Sequence, residues 1–172
     1  MQRSDSKCVL VVDDEPDVRE FFCMALEDAG FQVRGASNGE EAWSRLEDGR
    51  VDLVTIDLVL PGEPGLALVR KLRASERHAQ LPVVVVSAHA RDTLGRRDFG
   101  ELVRGGNLRA PDGYLEKPVD PVAYVRTVAD LLGVALSAFY RPEADALRDE
   151  LIGRIRQADL QTLHRFRSLL GS

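Results

Sequence analysis

Short apolar runs alternate with amphipathic stretches from Cys8 to Leu132. Cys8–Val12 is continuously apolar, the pattern of a strand covered on both faces. It stops at Asp13, Asp14 and Glu15, and Pro16 suits a first helical turn. Phe21, Phe22, Leu26 and Ala29 then recur at helical spacing, and Gly30 closes that helix. Phe31–Arg34 predicts a second strand. Asn38 is a candidate cap for a helix through Leu46, with Ala42 and Leu46 at i, i+4 spacing. Val51–Leu58 predicts a third strand with Asp57 near its C-terminal end. Leu60–Gly65 has loop composition, and Leu66, Val69 and Leu72 mark the next helical face. Leu81–Ser87, with its consecutive valines, predicts a central parallel strand. Residues 113–116 give a fifth, ending at Lys117–Pro118, and a helix follows from about Val122 to Leu132.

Five strands alternating with helices predict the α/β class, a doubly wound five-stranded parallel sheet. In such a sheet the strand ends share one edge, where Asp13, Asp14, Asp57, Ser87 and Lys117 would converge. A dinucleotide-binding fold is the architectural rival. It requires G-x-G-x-x-G after the first strand, where this chain has carboxylates that would repel a pyrophosphate.

Composition narrows the classes further. The chain has 172 residues, 44% of them hydrophobic and 30% charged, which excludes wholesale disorder. No apolar run is long enough to cross a membrane, and the opening MQRSDSK has no signal-peptide core. The net charge of −5 gives no general attraction to nucleic acid or anionic lipid. With no evident helix-turn-helix either, direct nucleic-acid binding is not expected. Cys8 and Cys23 read as core or half-buried thiols, which fits a reduced, cytoplasmic setting. His78, His89 and His164 form no metal set and read as surface residues, and Trp43 reads as packing across its helix.

The converging residues have a definite chemistry. Asp13 or Asp14 with Asp57 would make an oxygen-rich pocket suited to Mg2+. A bound cation would offset the repulsion among the acids and draw in an anionic phosphoryl group. A carboxylate can attack phosphorus and form an acyl phosphate. Asp57, alone on the third strand, is the best nucleophile. Ser87 can donate to a phosphate oxygen and Lys117 can neutralise another. Lysine is rare in this chain, occurring only at Lys7, Lys71 and Lys117.

Taken in order, these features resemble the receiver domain of bacterial two-component response regulators, a flavodoxin-like fold. The matching residues are Asp13–Asp14, Asp57, the loop residues Pro61–Gly62 and Gly65, Ser87–Ala88, Tyr114 and Lys117–Pro118. The resemblance covers about residues 7–132. It implies that Asp57 accepts a phosphoryl group from a sensor histidine kinase, a phosphotransfer protein or a small phosphodonor. It also implies that Asp14 and Asp57 ligate Mg2+ directly, Asp13 through water, and that the Val59 carbonyl supplies a further oxygen. Ser87 and Tyr114 would form the switch, Lys117 would pair with the phosphorylated aspartate, and the Lys117–Pro118 peptide would be cis. Phosphorylation would shift a two-state surface read by a downstream protein effector. Val59 cannot orient a hydrolytic water and His89 either orients one or simply faces solvent; slow self-dephosphorylation is expected.

The segment between Ser87 and Lys117 is longer than the family's usual spacing, and glycines and arginines interrupt it. At most a short or irregular helix is expected around Phe99–Val103, with an altered partner or dimer surface at Arg91, Arg96, Arg97, Arg104 and Arg109. The expected division is a receiver over 7–133 and a helical extension over 134–172. In that extension Ala144, Leu147, Leu151 and Ile155 form one apolar stripe. Its cover would be the receiver, a second copy in a homodimer, or an output domain. Two other functions compete with the signalling receiver. One is a degenerate receiver acting as a phosphorylation-independent scaffold. The other is a metal-dependent small-molecule phosphatase, for which no lid or further acid/base group is evident.

Overall fold

The computed structural model describes residues 6–88 and 109–136. The expectations for the irregular helix near residue 99, the arginines before Arg109, His89, His164 and the extension from residue 137 onward lie outside the described residues.

The chain runs β1 (Cys8–Val12), α1 (Pro16–Asp28), β2 (Gln32–Ala36), α2 (Gly39–Glu47), β3 (Leu53–Ile56), α3 (Gly65–Ala74), β4 (Val83–Ser87), β5 (Gly113–Glu116) and α4 (Pro121–Leu132). The strands form one parallel sheet in the order β2-β1-β3-β4-β5. This is the flavodoxin-like receiver architecture.

Side chains alternate across each strand, so a strand buried on both faces is apolar at nearly every position, with the buried Thr55 and Ser87 as the polar exceptions. β1, β3 and β4 are buried throughout. Leu10, Val12, Val54 and Ile56 pack with Ala42 and Leu46 of α2 and with Leu68, Val69 and Leu72 of α3. The neighbouring positions face the other way. There the Thr55 hydroxyl lies 3.0 Å from the buried Tyr124 hydroxyl of α4. The Tyr124 ring stacks on Phe22 of α1 with centroids 4.4 Å apart. Each fully buried aliphatic side chain in such a core contributes roughly 1.5–3 kcal/mol.

The helix ends follow from local chemistry. Asn38 accepts from the Glu41 backbone N–H and caps α2, while Pro16 and Pro121 open α1 and α4. Gly133 takes the left-handed conformation, φ 64°, that ends α4.

Several expectations need correction. β3 and β4 start two residues later than the apolar runs, because Val51 and Leu81 precede the ladders, and β3 ends at Ile56 rather than Leu58, so Asp57 follows the strand instead of lying on it. β2 extends through Ala36. Phe21 is exposed rather than part of the α1 core face, which rests on Phe22 and Leu26. The buried stripe of α3 is Gly65, Leu68, Val69, Leu72 and Arg73, so Leu66 is flanking and a charged residue occupies the last buried position. His78 is buried, not on the surface. Its ring meets the edge of Trp43 at 5.6 Å, and Lys71 lies 4.2 Å over the same indole. Trp43 therefore packs between α2, α3 and the chain that follows α3. Cys8 is buried and Cys23 half-buried, as their surroundings in sequence indicate.

Candidate functional site: an acidic cluster at the sheet edge

The parallel sheet delivers its C-terminal strand ends to one edge. Asp13 and Asp14 follow β1, Asp57 follows β3, Ser87 ends β4 and Lys117 follows β5. Backbone hydrogen bonds between neighbouring elements fix four of these five. The Asp13 N–H donates to Ala36 O at 3.1 Å, the Asp57 N–H to Val12 O at 2.9 Å and the Lys117 N–H to Ser87 O at 3.1 Å. The fold thus gathers Asp13, Asp14, Asp57, Ser87 and Lys117 along the edge, as their positions in sequence require.

Lys117 is the hub. Its Nζ donates to Asp57 Oδ2 at 2.6 Å and to Asp13 Oδ2 at 2.7 Å, with Glu15 Oε1 at 3.9 Å. Burial works against the ammonium charge. The hydrogen bonds to Asp13 and Asp57 and the charge of both carboxylates more than offset it, so Lys117 is held above the usual lysine value. The remaining Asp57 oxygen, Oδ1, accepts from the Val59 N–H at 2.9 Å, and Asp13 Oδ1 accepts from the Glu15 N–H at 3.0 Å. Asp13 and Asp57 are buried, while Asp14 faces solvent.

Carboxylate oxygens of Asp13, Asp14 and Asp57 lie within 4.8 Å of one another. One ammonium cannot neutralise three carboxylates at that range. The set offers only hard oxygen donors, with an exposed member open to water, which fits a small divalent cation such as Mg2+.

Ser87 is fully buried at the end of β4. Register pairs Tyr114 with Val85, two residues before Ser87, so Tyr114 and Ser87 project to the same face. Tyr114 is 45% exposed. Partial burial and the charge of Asp112 push its phenol up to about 12, so it stays neutral at physiological pH. The Val59 side chain is exposed beside the site. The Lys117–Pro118 peptide is cis.

Some contributors have little sequence signal. Arg19 Nη1 donates to the Asp13 carbonyl at 2.7 Å and braces the acidic turn from α1. Its position near the start of the helix is the only hint. Gly65 belongs to a recognised loop, but its reason is spatial. A Cβ there would lie 1.9 Å from the Asp57 carbonyl oxygen. Only glycine lets α3 start against the backbone of Asp57. Gly62 supports the same turn with φ 79°.

A separate concavity of about 650 Å3 lies at the opposite end of the sheet, lined by Asp48, Arg50, Asp52, Arg77 and Pro82 among others. None of the acidic trio lines it.

Sheet order, acidic trio and bridging lysine define a parallel α/β domain with an acidic site at the C-terminal edge of its sheet, and comparison with known proteins agrees. The response regulator receiver domain family matches residues 9–129, and the chain belongs to that family. It is 31% identical over 152 residues to the response regulator GtcR of Aneurinibacillus migulanus, covering 87% of this chain and 58% of that protein. A response regulator receiver protein from Pseudomonas putida superposes with a TM-score of 0.63 at 34% identity, covering 74% of this chain and 98% of that one. Thermotoga maritima TrrA, solved in complex with Mg2+–BeF, superposes with a TM-score of 0.58 at 29% identity, covering 73% and 98%. The chain spans about half the length of most of the curated relatives it matches. No helix among the described residues is long and apolar enough to cross a membrane.

Proposed function

We propose that Asp57 accepts a phosphoryl group from a sensor histidine kinase or phosphotransfer protein, and that the modification changes a surface read by a downstream protein. The observation that carries this reading is the Lys117 ammonium bridging Asp57 and Asp13 within the three-carboxylate cluster.

An Asp57 carboxylate oxygen attacks the phosphorus of a phosphohistidine. The O–P bond forms as the N–P bond breaks, and the electron pair leaves with the imidazole, which takes a proton from water. Lys117 moves from a carboxylate–carboxylate bridge to the new phosphoryl oxygens, since two aspartates already hold it at the right place. The Val59 N–H keeps one Asp57 oxygen oriented. Asp14 and Asp57, with the Val59 carbonyl and Asp13 through water, would hold Mg2+; the clustered carboxylates and a Thermotoga relative solved with Mg2+–BeF support a Mg2+ site here. When bound, the ion supplies positive charge that lowers the repulsion between an anionic donor and an acidic site. Ser87 turns toward the phosphoryl group, and Tyr114, on the same face and half out of the sheet, follows it. The extension from residue 134 serves as a packing or homodimerisation element, and the protein works in the cytoplasm.

The test is incubation with Mg2+ and a small acyl phosphate, followed by intact mass measurement. Wild type should gain one phosphoryl group, and both D57A and wild type in excess chelator should gain none. A wild-type chain that stays unmodified under these conditions leaves the phosphorylation-independent scaffold as the function.

A further inference from the structure

β5 carries Tyr114 and leads directly into Lys117, yet little in its own sequence fixes where it sits. It is an edge strand of four residues that alternates between half-buried and exposed positions. A strand with so little buried surface has a weakly specified register. β4 ends at Ser87 and β5 begins only at Gly113, so chain continuity from the neighbouring strand does not by itself choose between neighbouring registers. A slip of one residue would turn Lys117 to the other face. A slip of two would carry it about 6.6 Å along the sheet, well outside hydrogen-bond reach of Asp57.

The register is set just ahead of the strand. The Asp112 N–H donates to Val83 O at 2.8 Å, and Asp112 Oδ2 accepts from the Val83 N–H at 2.9 Å. The same oxygen accepts from Arg73 Nη2 at 3.1 Å. The Arg73 side chain is 1% exposed. Its other donors reach Leu81 O at 2.7 Å, Arg109 O at 2.9 Å and Ala79 O at 3.1 Å. Burial presses the guanidinium to lose its charge, and the Asp112 carboxylate opposes that loss. A buried guanidinium with this many fixed acceptors tolerates almost no displacement of the chain it grips.

Arg73 lies at the far end of α3, whose first residue, Gly65, rests on the Asp57 backbone. The helix is therefore a strut. One end is seated on the nucleophile and the other grips the entry to the strand that supplies the lysine, roughly 12 Å away along the helix axis. We propose that Arg73 and Asp112 are a positioning pair for phosphoryl transfer, holding β5 in the register that puts Lys117 on Asp57. This rests on the assignment of Asp57 as acceptor and Lys117 as its partner.

The experiment uses the full chain with R73K, D112N and D112E, alone and combined with K117A. For each variant, circular dichroism gives the folded fraction, calorimetry gives Mg2+ affinity, and intact mass gives the rate of acyl-phosphate modification at saturating Mg2+. Each folded single variant should react about tenfold more slowly or worse, because an ångström-scale misplacement of a catalytic group costs that much. Mg2+ affinity should stay near wild type. In the K117A background the same substitutions should cost nothing further, because the lysine they position is gone. Folded variants that react within twofold of wild type overturn the proposal, as does an equal loss with and without Lys117. Unfolding of all three variants overturns it too, by making the pair a requirement for folding rather than for placement. If instead D57A still gains the phosphoryl group, or K117A reacts like wild type, the underlying site assignment is what fails.

Discussion

Gly65 has no room for one more carbon. A methyl added there would come within 1.9 Å of the Asp57 carbonyl oxygen and 2.9 Å of Leu58 Cα, and would push α3 off the Asp57 backbone. G65A should therefore lose roughly 2–3 kcal/mol of stability, the cost of overpacking a rigid contact. It should also react more slowly with acyl phosphate even where urea titration shows it folded. A fully active G65A would mean that the helix start and the acceptor are not coupled. Val59 presents the opposite case, an exposed side chain beside the buried Asp57. It is apolar and cannot direct water at phosphorus. V59N should shorten the lifetime of the Asp57 phosphate severalfold when decay is followed by mass after removal of the donor, and an unchanged lifetime would exclude Val59 as the brake.

At the scale of elements, the chain after α3 shows how burial can hide a polar residue from sequence reading. His78 sits against Trp43, and among the described residues its Nε2 has no hydrogen-bond partner. Burial holds the imidazole below its ordinary value of 6.5, Arg77 adds to that effect and Glu47 opposes it. The unfolded chain therefore binds the proton more readily. The stabilisation from neutral His78 is complete above 6.5 and is lost as the pH falls through the depressed folded value. H78Q removes this titration, so its urea midpoint should fall less between pH 7 and pH 5 than that of wild type. Equal falls would show that His78 is protonated without penalty. The same region explains why the apolar spacing of α3 points to a slightly different face from the one it buries. Leu66, Val69 and Leu72 share a helical spacing, but the helix begins at Gly65. The seat of Gly65 on the sheet selects the buried face, so the stripe runs through Gly65, Leu68, Val69 and Leu72 and ends on Arg73, whose long apolar stem and guanidinium are both buried.

For the whole molecule, the described part is a receiver and the chain continues beyond it. The stripe of Ala144, Leu147, Leu151 and Ile155 needs an apolar cover if the segment is helical. We expect light scattering to give a dimer for chain 1–172 and a monomer for chain 1–140. Equal states would remove the segment as the driver of assembly and leave packing on the receiver as its role. Repeating the measurement on phosphorylated protein would show whether the charge on Asp57 reaches that segment.

The sequence alone determined the element order, the parallel sheet and the edge where the acids and lysine meet. Short strand patterns ending in polar residues carry that information locally: β1 into Asp13–Asp14, β3 into Asp57 and β5 into Lys117. Only the tertiary structure decided how closely they meet and what holds them there. The two short bonds of Lys117, the seat of Gly65 on Asp57 and the grip of Arg73 on Asp112 all join residues from different elements. Periodicity records which face a residue takes within its own element. It carries no record of the distance to another element, and that distance sets whether a carboxylate and an ammonium form a site.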